Sequence, residues 1–310
     1  MTTGTGRDNE HWVFPKGAAA QGDYATVIDA GIDGWQHTML RVAEISEGAS
    51  VTHDSGVEET IVVPLNGSVR VEVTDEDGTA HDIVLAGRAH VFASATDVVY
   101  AGRGAVVRVT AEGGPARVAL TGAPATKLAA PKPFRHIRAD EVPVEIRGAG
   151  TSSREVRSFG LPEVLDADSI LVCEVITPAG NWSSWPPHKH DTETDEETQL
   201  EEIYYFELQP TDPRGTDPVG YQRVYGSNEQ PERPIDVVAE VRSGDVVLVP
   251  YGWHGPAMAA PTADLYYLNV MAGPGAERAW RICMDPAHVW VRDAWSDLPP
   301  DPRLPFTAGR

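Results

Sequence analysis

The chain has 310 residues, with 25 Lys+Arg against 46 Asp+Glu and a formal net charge of −21 at pH 7. That charge excludes a general nucleic-acid binder, which needs a basic face for phosphate, and it disfavours docking to anionic lipid. With 41% hydrophobic and 23% charged residues, the composition is that of a globular protein long enough for about two domains.

Short β-rich runs recur along the chain: TIVVPL (60–65), VRVEVT (69–74), AVVRVT (105–110), ILVCEVIT (170–177), IYYFEL (203–208), DVVLVP (245–250) and DLYYLNVM (264–271). Gly, Pro, Asn or Asp bound each of them, which predicts many short strands and an all-β sandwich or barrel. Two stretches resemble each other. GVEETIVVPLNGSVRVEV (56–73) followed by GRAHVFASATDVVYAG (87–102) has the plan of LEEIYYFEL (200–208) followed by GDVVLVPYGWHGPAMAA (244–260). Setting Glu59 against Glu202 and Gly87 against Gly244 leaves the second copy with an insertion, housed in the Pro-, Asp- and Gly-rich 209–234. The expected organisation is an N-terminal barrel over 1–125, a linker over 126–145 and a C-terminal barrel over 146–310.

No run of ~18 apolar residues appears, so no membrane span is expected. The opening MTTGTGRDNEHWVFP lacks the basic and apolar regions of a signal peptide. Cys173 and Cys283 are too few for a disulfide framework. A cytoplasmic protein is expected.

Chemistry concentrates in the second half. His188 and His190 in PPHKH flank one residue, so on an extended strand both imidazoles project from the same face. Glu201–Glu202 enter the strand IYYFEL, and His254 follows a Pro-Tyr-Gly turn. Three imidazoles and one carboxylate suit a divalent Zn, Mn, Fe or Ni ion. Adjacent residues on a strand face opposite ways, so only one glutamate can ligate. Lys189, between the histidines, should point away from the ion. The acidic stretch DTETDEETQLEE (191–202) has EF-hand-like spacing but Glu196 where that loop needs Gly, and it is expected to be a solvated loop.

These two segments resemble the signature motifs of the cupin superfamily. The longer strings WSSWPPHKHD (182–191), LEEIYYF (200–206), QRVY (222–225), GDVVLVPYGWH (244–254), DLYYLNVMAGP (264–274) and RAWRICMDPAHVW (278–290) resemble the 5-deoxyglucuronate isomerases of inositol catabolism. The resemblance implies two tandem jelly-roll-like cupin barrels, the first without metal ligands. There, only His53-Asp54 stands in place of the HxH, equal spacing gives Ala93 and Asp97 in place of Pro250 and His254, and His90 is the other imidazole nearby. It implies one divalent metal on His188, His190, Glu202 and His254, with Glu201 the alternative ligand. The implied activity is aldose–ketose isomerisation of 5-deoxy-D-glucuronate to 5-dehydro-2-deoxy-D-gluconate, by an enediol(ate) or a hydride shift. Another uronate isomerase and a metal-dependent cupin dioxygenase are the alternatives. Glu201 and Tyr251 are the catalytic candidates. Arg223, Tyr225, Tyr267 and Asn269 are the candidates for binding a small anionic sugar, with Arg281 in reserve. No nucleic acid or membrane partner is expected, and a homodimer is an open option.

Overall fold

The structure, a computed structural model, describes residues 5–306. Its regular structure is overwhelmingly β, as expected, and the predicted runs fall on strands with small shifts at their ends. TIVVPL and VRVEVT prove to be one 17-residue strand, Glu58–Thr74. AVVRVT opens a 19-residue strand, Val106–Pro124. The two pair antiparallel, with register shifts between Pro64 and Ser68. Pro64 has no N–H to donate and Gly67 takes φ +80°, so the strand bends there and the ladder resumes beyond it.

In the N-terminal half these long strands centre an eight-stranded sheet, with Met39–Ile45 and Thr26–Ile28 on one side and Val98–Ala101 on the other. The C-terminal half has two sheets. One runs Val246–Val249, Glu201–Pro210, Ala263–Ala272, Leu171–Thr177, Arg154–Gly160 and Val144–Arg147; the other runs Asp236–Val241, Gly220–Tyr225, Trp253–Ala259, His188–Lys189 and Cys283–Met284. One hydrophobic cluster fills the N-terminal barrel around Val62, Val71 and Val109. A larger one fills the C-terminal barrel and continues through Ile61, Val63 and Tyr100 into the contact between the barrels.

The halves exchange strands, which the sequence boundaries at 125 and 145 do not anticipate. Val13–Phe14 pairs with Val246–Val249 of the C-terminal barrel, Val13 opposite Val247. Arg135–Ile137, inside the expected linker, pairs with Val98–Ala101 of the N-terminal barrel, Ile137 opposite Val98. Each repeat therefore sends its leading strand to the sheet of the other, covering an edge that would otherwise expose unpaired backbone.

Polar contacts deep between the barrels follow the same reciprocity. Glu59 accepts hydrogen bonds from the N–H groups of Asp168, Ser169 and Ile170 at 2.8, 2.6 and 2.7 Å, and from the Tyr100 hydroxyl at 2.6 Å. Glu201 accepts from the N–H groups of His37 and Thr38 at 2.5 and 2.7 Å, and of Gln36 at 3.2 Å. These peptide segments lead into Leu171–Thr177 and Met39–Ile45. Buried N–H groups need acceptors, and a carboxylate from the other barrel supplies them. Arg88 pairs with Glu174 across the same seam, and Arg157 donates to the carbonyls of Val91 and Ser94 at 2.9 and 2.5 Å.

Strand register relates the two repeats. Glu59 lies opposite Ala123 and Thr60 opposite Ala101; Glu201 lies opposite Ala272 and Glu202 opposite Val249. Glu59 thus corresponds to Glu201, one residue away from the alignment drawn from the sequence, and Thr60 stands where the second repeat has Glu202. Replacing Glu59 with Ala leaves three buried N–H groups without an acceptor. The expected loss is about 3–4 kcal/mol of stability, read from the urea midpoint against wild type.

Candidate metal centre

His188 and His254 are directly opposed on neighbouring strands of one C-terminal sheet. His190 lies just beyond, and Glu202 comes from the facing sheet. Parity on the Glu201–Pro210 strand decides between the adjacent carboxylates: Glu201 turns to the seam and Glu202 to the barrel interior. One ligand atom from each of His188, His190, Glu202 and His254 falls within 4.8 Å of all the others, and all four residues are buried. Both His190 Nε2 and His254 Nε2 lie 3.1 Å from Glu202 Oε2. On their other sides, His190 Nδ1 is 3.2 Å from Leu200 O and His254 Nδ1 is 3.2 Å from Gly252 O. Those carbonyls orient the rings so that Nε2 faces the centre, the usual support for a metal-binding imidazole.

His188 Nε2 and Glu202 Oε1 are buried with no hydrogen-bond partner. Orphaned buried polar atoms are costly, and a cation between them would satisfy both at once. Burial, reinforced by the neighbouring imidazoles of His254 and His190, holds the His188 pKa well below its usual value, so the ring is neutral with a lone pair to offer. The donor set thus fits a divalent cation.

A charged network behind the ligands fixes the two loops that carry them. Lys189 points away from the cluster, as strand alternation predicts, with Nζ 3.1 Å from Asp191 Oδ1 and 2.7 Å from Glu197 Oε2. Asp191 Oδ2 in turn accepts the Gly252 N–H at 2.8 Å, tying the HxH segment to the turn before His254. Gly252 has φ +85°, and a Cβ there would come 2.7 Å from Tyr225 O, so the turn needs glycine. The acidic stretch beyond is therefore not wholly solvated: Asp191 and Glu197 are buried anchors.

A cavity of about 400 Å³ opens over His188. Tyr267 and Asn269, candidates for binding the sugar, line it. Several other expectations are corrected. Glu201 is consumed by the seam and does not reach the cavity. Tyr251 donates to Pro234 O at 3.3 Å and lies 4.3 Å under the Arg233 guanidinium, away from the cavity wall. Arg223 is occupied by Asp236 at 2.6 Å and by the carbonyls of Val224 and Val237, both at 2.8 Å. Tyr225 donates to Asp285 at 2.5 Å. Arg281 pairs with Glu277 at 2.5 Å, outside the lining. Arg147, Arg154, Arg292, Ser184 and Tyr204 line the cavity unanticipated. Parity could have found Tyr204, two residues from Glu202; the arginines lie in 144–160 and the C-terminal segment, which no motif singled out.

A protein-family model described as the KduI/IolB family matches residues 12–291. Proteins of known function named 5-deoxy-glucuronate isomerase match at 38% identity: that of Geobacillus kaustophilus over 84% of this chain and 88% of its own length, and that of Bacillus subtilis strain 168 over 82% and 88%. Among solved structures, an IolB-like protein from Salmonella typhimurium LT2 is 33% identical with a TM-score of 0.77, covering 90% of this chain and 98% of that one. Lactobacillus farciminis oxalate decarboxylase shares the cupin fold at 12% identity and a TM-score of 0.61, over 93% of this chain and 96% of that one.

Opposite parity makes the two glutamates separable by experiment. Glu202→Gln should lose at least ~10–100-fold in metal affinity, while Glu201→Gln keeps its metal and loses stability instead. Metal stoichiometry after dialysis, with thermal midpoints for both variants, checks this; an empty Glu201→Gln protein beside a loaded Glu202→Gln protein would reverse the assignment.

Proposed function

The chain belongs to the KduI/IolB family, and on that footing we propose that it is a 5-deoxy-glucuronate isomerase, converting 5-deoxy-D-glucuronate to 5-dehydro-2-deoxy-D-gluconate in inositol catabolism. The observation that carries this reading is the convergence of three buried imidazoles and one buried carboxylate, one of them, His188, in the wall of a sugar-sized cavity, in a chain whose 38%-identical relatives bear that name. Aldose–ketose isomerisation moves a hydrogen from C2 to C1 and passes through a state with negative charge on the C1 and C2 oxygens.

His188, His190, Glu202 and His254 would hold the divalent cation, of Zn, Mn, Fe or Ni type, which supplies Lewis acidity toward those oxygens when bound. The chain's own hydroxyls complete the environment. Ser184 Oγ lies 3.2 Å from the hydroxyls of both Tyr204 and Tyr267. Burial raises the Tyr204 pKa well above its usual value and pushes Tyr267 up to about 12. Both phenols therefore stay protonated at neutral pH and act as donors toward a developing oxyanion rather than as bases. Asn269, two residues beyond Tyr267 on its strand and opposite Tyr204, donates from Nδ2 to Ile203 O at 3.4 Å and braces the wall.

Metal-loaded protein should convert 5-deoxy-D-glucuronate to the 2-deoxy-5-keto acid by NMR, and chelator treatment should abolish turnover until metal is restored. Absence of conversion by loaded protein would sink the reading. Tyr267→Phe should lower kcat by on the order of 10²-fold with metal content unchanged, as loss of one oxyanion donor does. The same reaction in D2O reads the hydrogen's route: deuterium at C1 marks exchange with solvent, and its absence marks direct transfer.

A further inference from the structure

The cavity over the metal centre is built against the chain's own charge. Three arginines line it and no aspartate or glutamate does, in a protein where acids outnumber bases 46 to 25. Two of the arginines are placed by a hairpin. Arg147 and Arg154 are direct cross-strand partners at the end of Val144–Arg147 and the start of Arg154–Gly160. Like charges directly opposite one another on neighbouring strands repel, so this pair destabilises the hairpin unless a negative group comes between them.

The two side chains are held but not neutralised alike. Arg147 bonds to Glu145 at 2.9 Å. Arg154 is half-buried and, among the described residues, donates only to a backbone carbonyl, Ser152 O at 3.2 Å. Burial lowers its pKa, and the charges of Arg147 and Arg292 push the same way. The turn makes room for the guanidinium: Gly148 has φ +77°, and a Cβ there would come 2.7 Å from Arg154 Nη1. Indoles cover both cations, Trp280 at 5.5 Å from Arg147 Cζ and Trp295 at 6.0 Å from Arg154 Cζ. Stacking of this kind fixes a guanidinium while leaving its N–H edges free to donate.

We infer that Arg147 and Arg154 form the seat for the carboxylate of the substrate, with Arg292 adding positive charge from the solvent side. The identity of that acid rests on the isomerase reading; the existence of an anion seat does not. In an open-chain uronate the carboxylate and the aldehyde are at opposite ends, so the arginines at one wall direct C1 and C2 toward the His188 wall. Specificity follows as well. A neutral aldose of the same length leaves the Arg154 charge without an anionic partner beside that of Arg147, and is rejected on that account rather than by shape.

The test combines binding with kinetics. D-Gluconate, a six-carbon acid, and its neutral counterpart D-glucitol are titrated calorimetrically into chelator-treated and metal-loaded protein. Wild type should prefer gluconate in both forms. Arg154→Gln and Arg147→Gln should each weaken gluconate by roughly 10–100-fold, the loss expected for a charge-assisted pair, with glucitol unaffected. Their KM for 5-deoxy-D-glucuronate should rise more than kcat falls, with circular dichroism and metal stoichiometry unchanged. Arg154→Lys keeps the charge without the fork and should recover part of the loss. If Arg154→Gln does not fold, Arg147→Gln carries the same comparison. Gluconate affinity and uronate KM within about twofold of wild type in the glutamine variants would overturn the inference. So would a wild type that does not prefer gluconate. A wild type that seats gluconate through these arginines yet does not convert the uronate would remove the isomerase reading and leave the anion seat standing.

Discussion

Two carboxylates, each held by three backbone N–H groups of the opposite barrel, are the constraint on which the rest of the molecule depends. Glu59 and Glu201 are nearly or wholly removed from solvent, and a carboxylate in that position is tolerable only because its lone pairs are occupied. Glu59 finds one donor in its own barrel, the Tyr100 hydroxyl, and its three backbone donors in the other. The requirement is mutual, and it joins the two repeats as firmly as the hydrophobic cluster that continues across the seam.

That same requirement reaches the metal centre through one peptide unit. Glu201 and Glu202 are neighbours on a strand whose side chains alternate, so fastening the first to residues 36–38 fixes the direction of the second. The N-terminal barrel thus helps to set the direction of Glu202 without placing a side chain in the cluster. On the far side, Lys189, Asp191 and Glu197 lock the loops that carry the imidazoles. The donor set of the candidate centre is therefore preorganised by ion pairs on one side and by a barrel-to-barrel clasp on the other.

Much of this was legible in the sequence, for reasons of distance. The HxH segment, the glutamate pair and the Pro-Tyr-Gly-Trp-His turn are compact patterns, and strand alternation suffices to bring two imidazoles to one face. The choice between Glu201 and Glu202 was not legible, because it depends on what packs against each face, and that partner lies more than a hundred residues away. The same limit misplaced Arg223. Its strand and its charge fitted a carboxylate seat, but Asp236 on the adjoining strand neutralises it. Arg147 and Arg154 were passed over because no aliphatic run or motif marks their hairpin, and they come to line one cavity with His188 only when the two sheets of the C-terminal half face each other. The one-residue offset between Glu59 and Glu202 has a simpler origin: both repeats offer two acidic residues in a row, and only register tells which of the two is shared.

The exchange of leading strands also has a consequence for the order in which the chain is made. Val13–Phe14 is made before its partner around Val247, which follows on the order of 200 residues later. At ~5–20 residues per second that interval is roughly 10–40 s, during which the early strand stays uncommitted and its exposed apolar side chains need protection from misassociation. The sheet that holds Glu202 includes both Val13–Phe14 and Ala263–Ala272, so the second barrel cannot close until both have been made. A ribosome that stalls inside the second repeat would hold a nascent chain with its first barrel substantially made and an adhesive strand hanging free beside it.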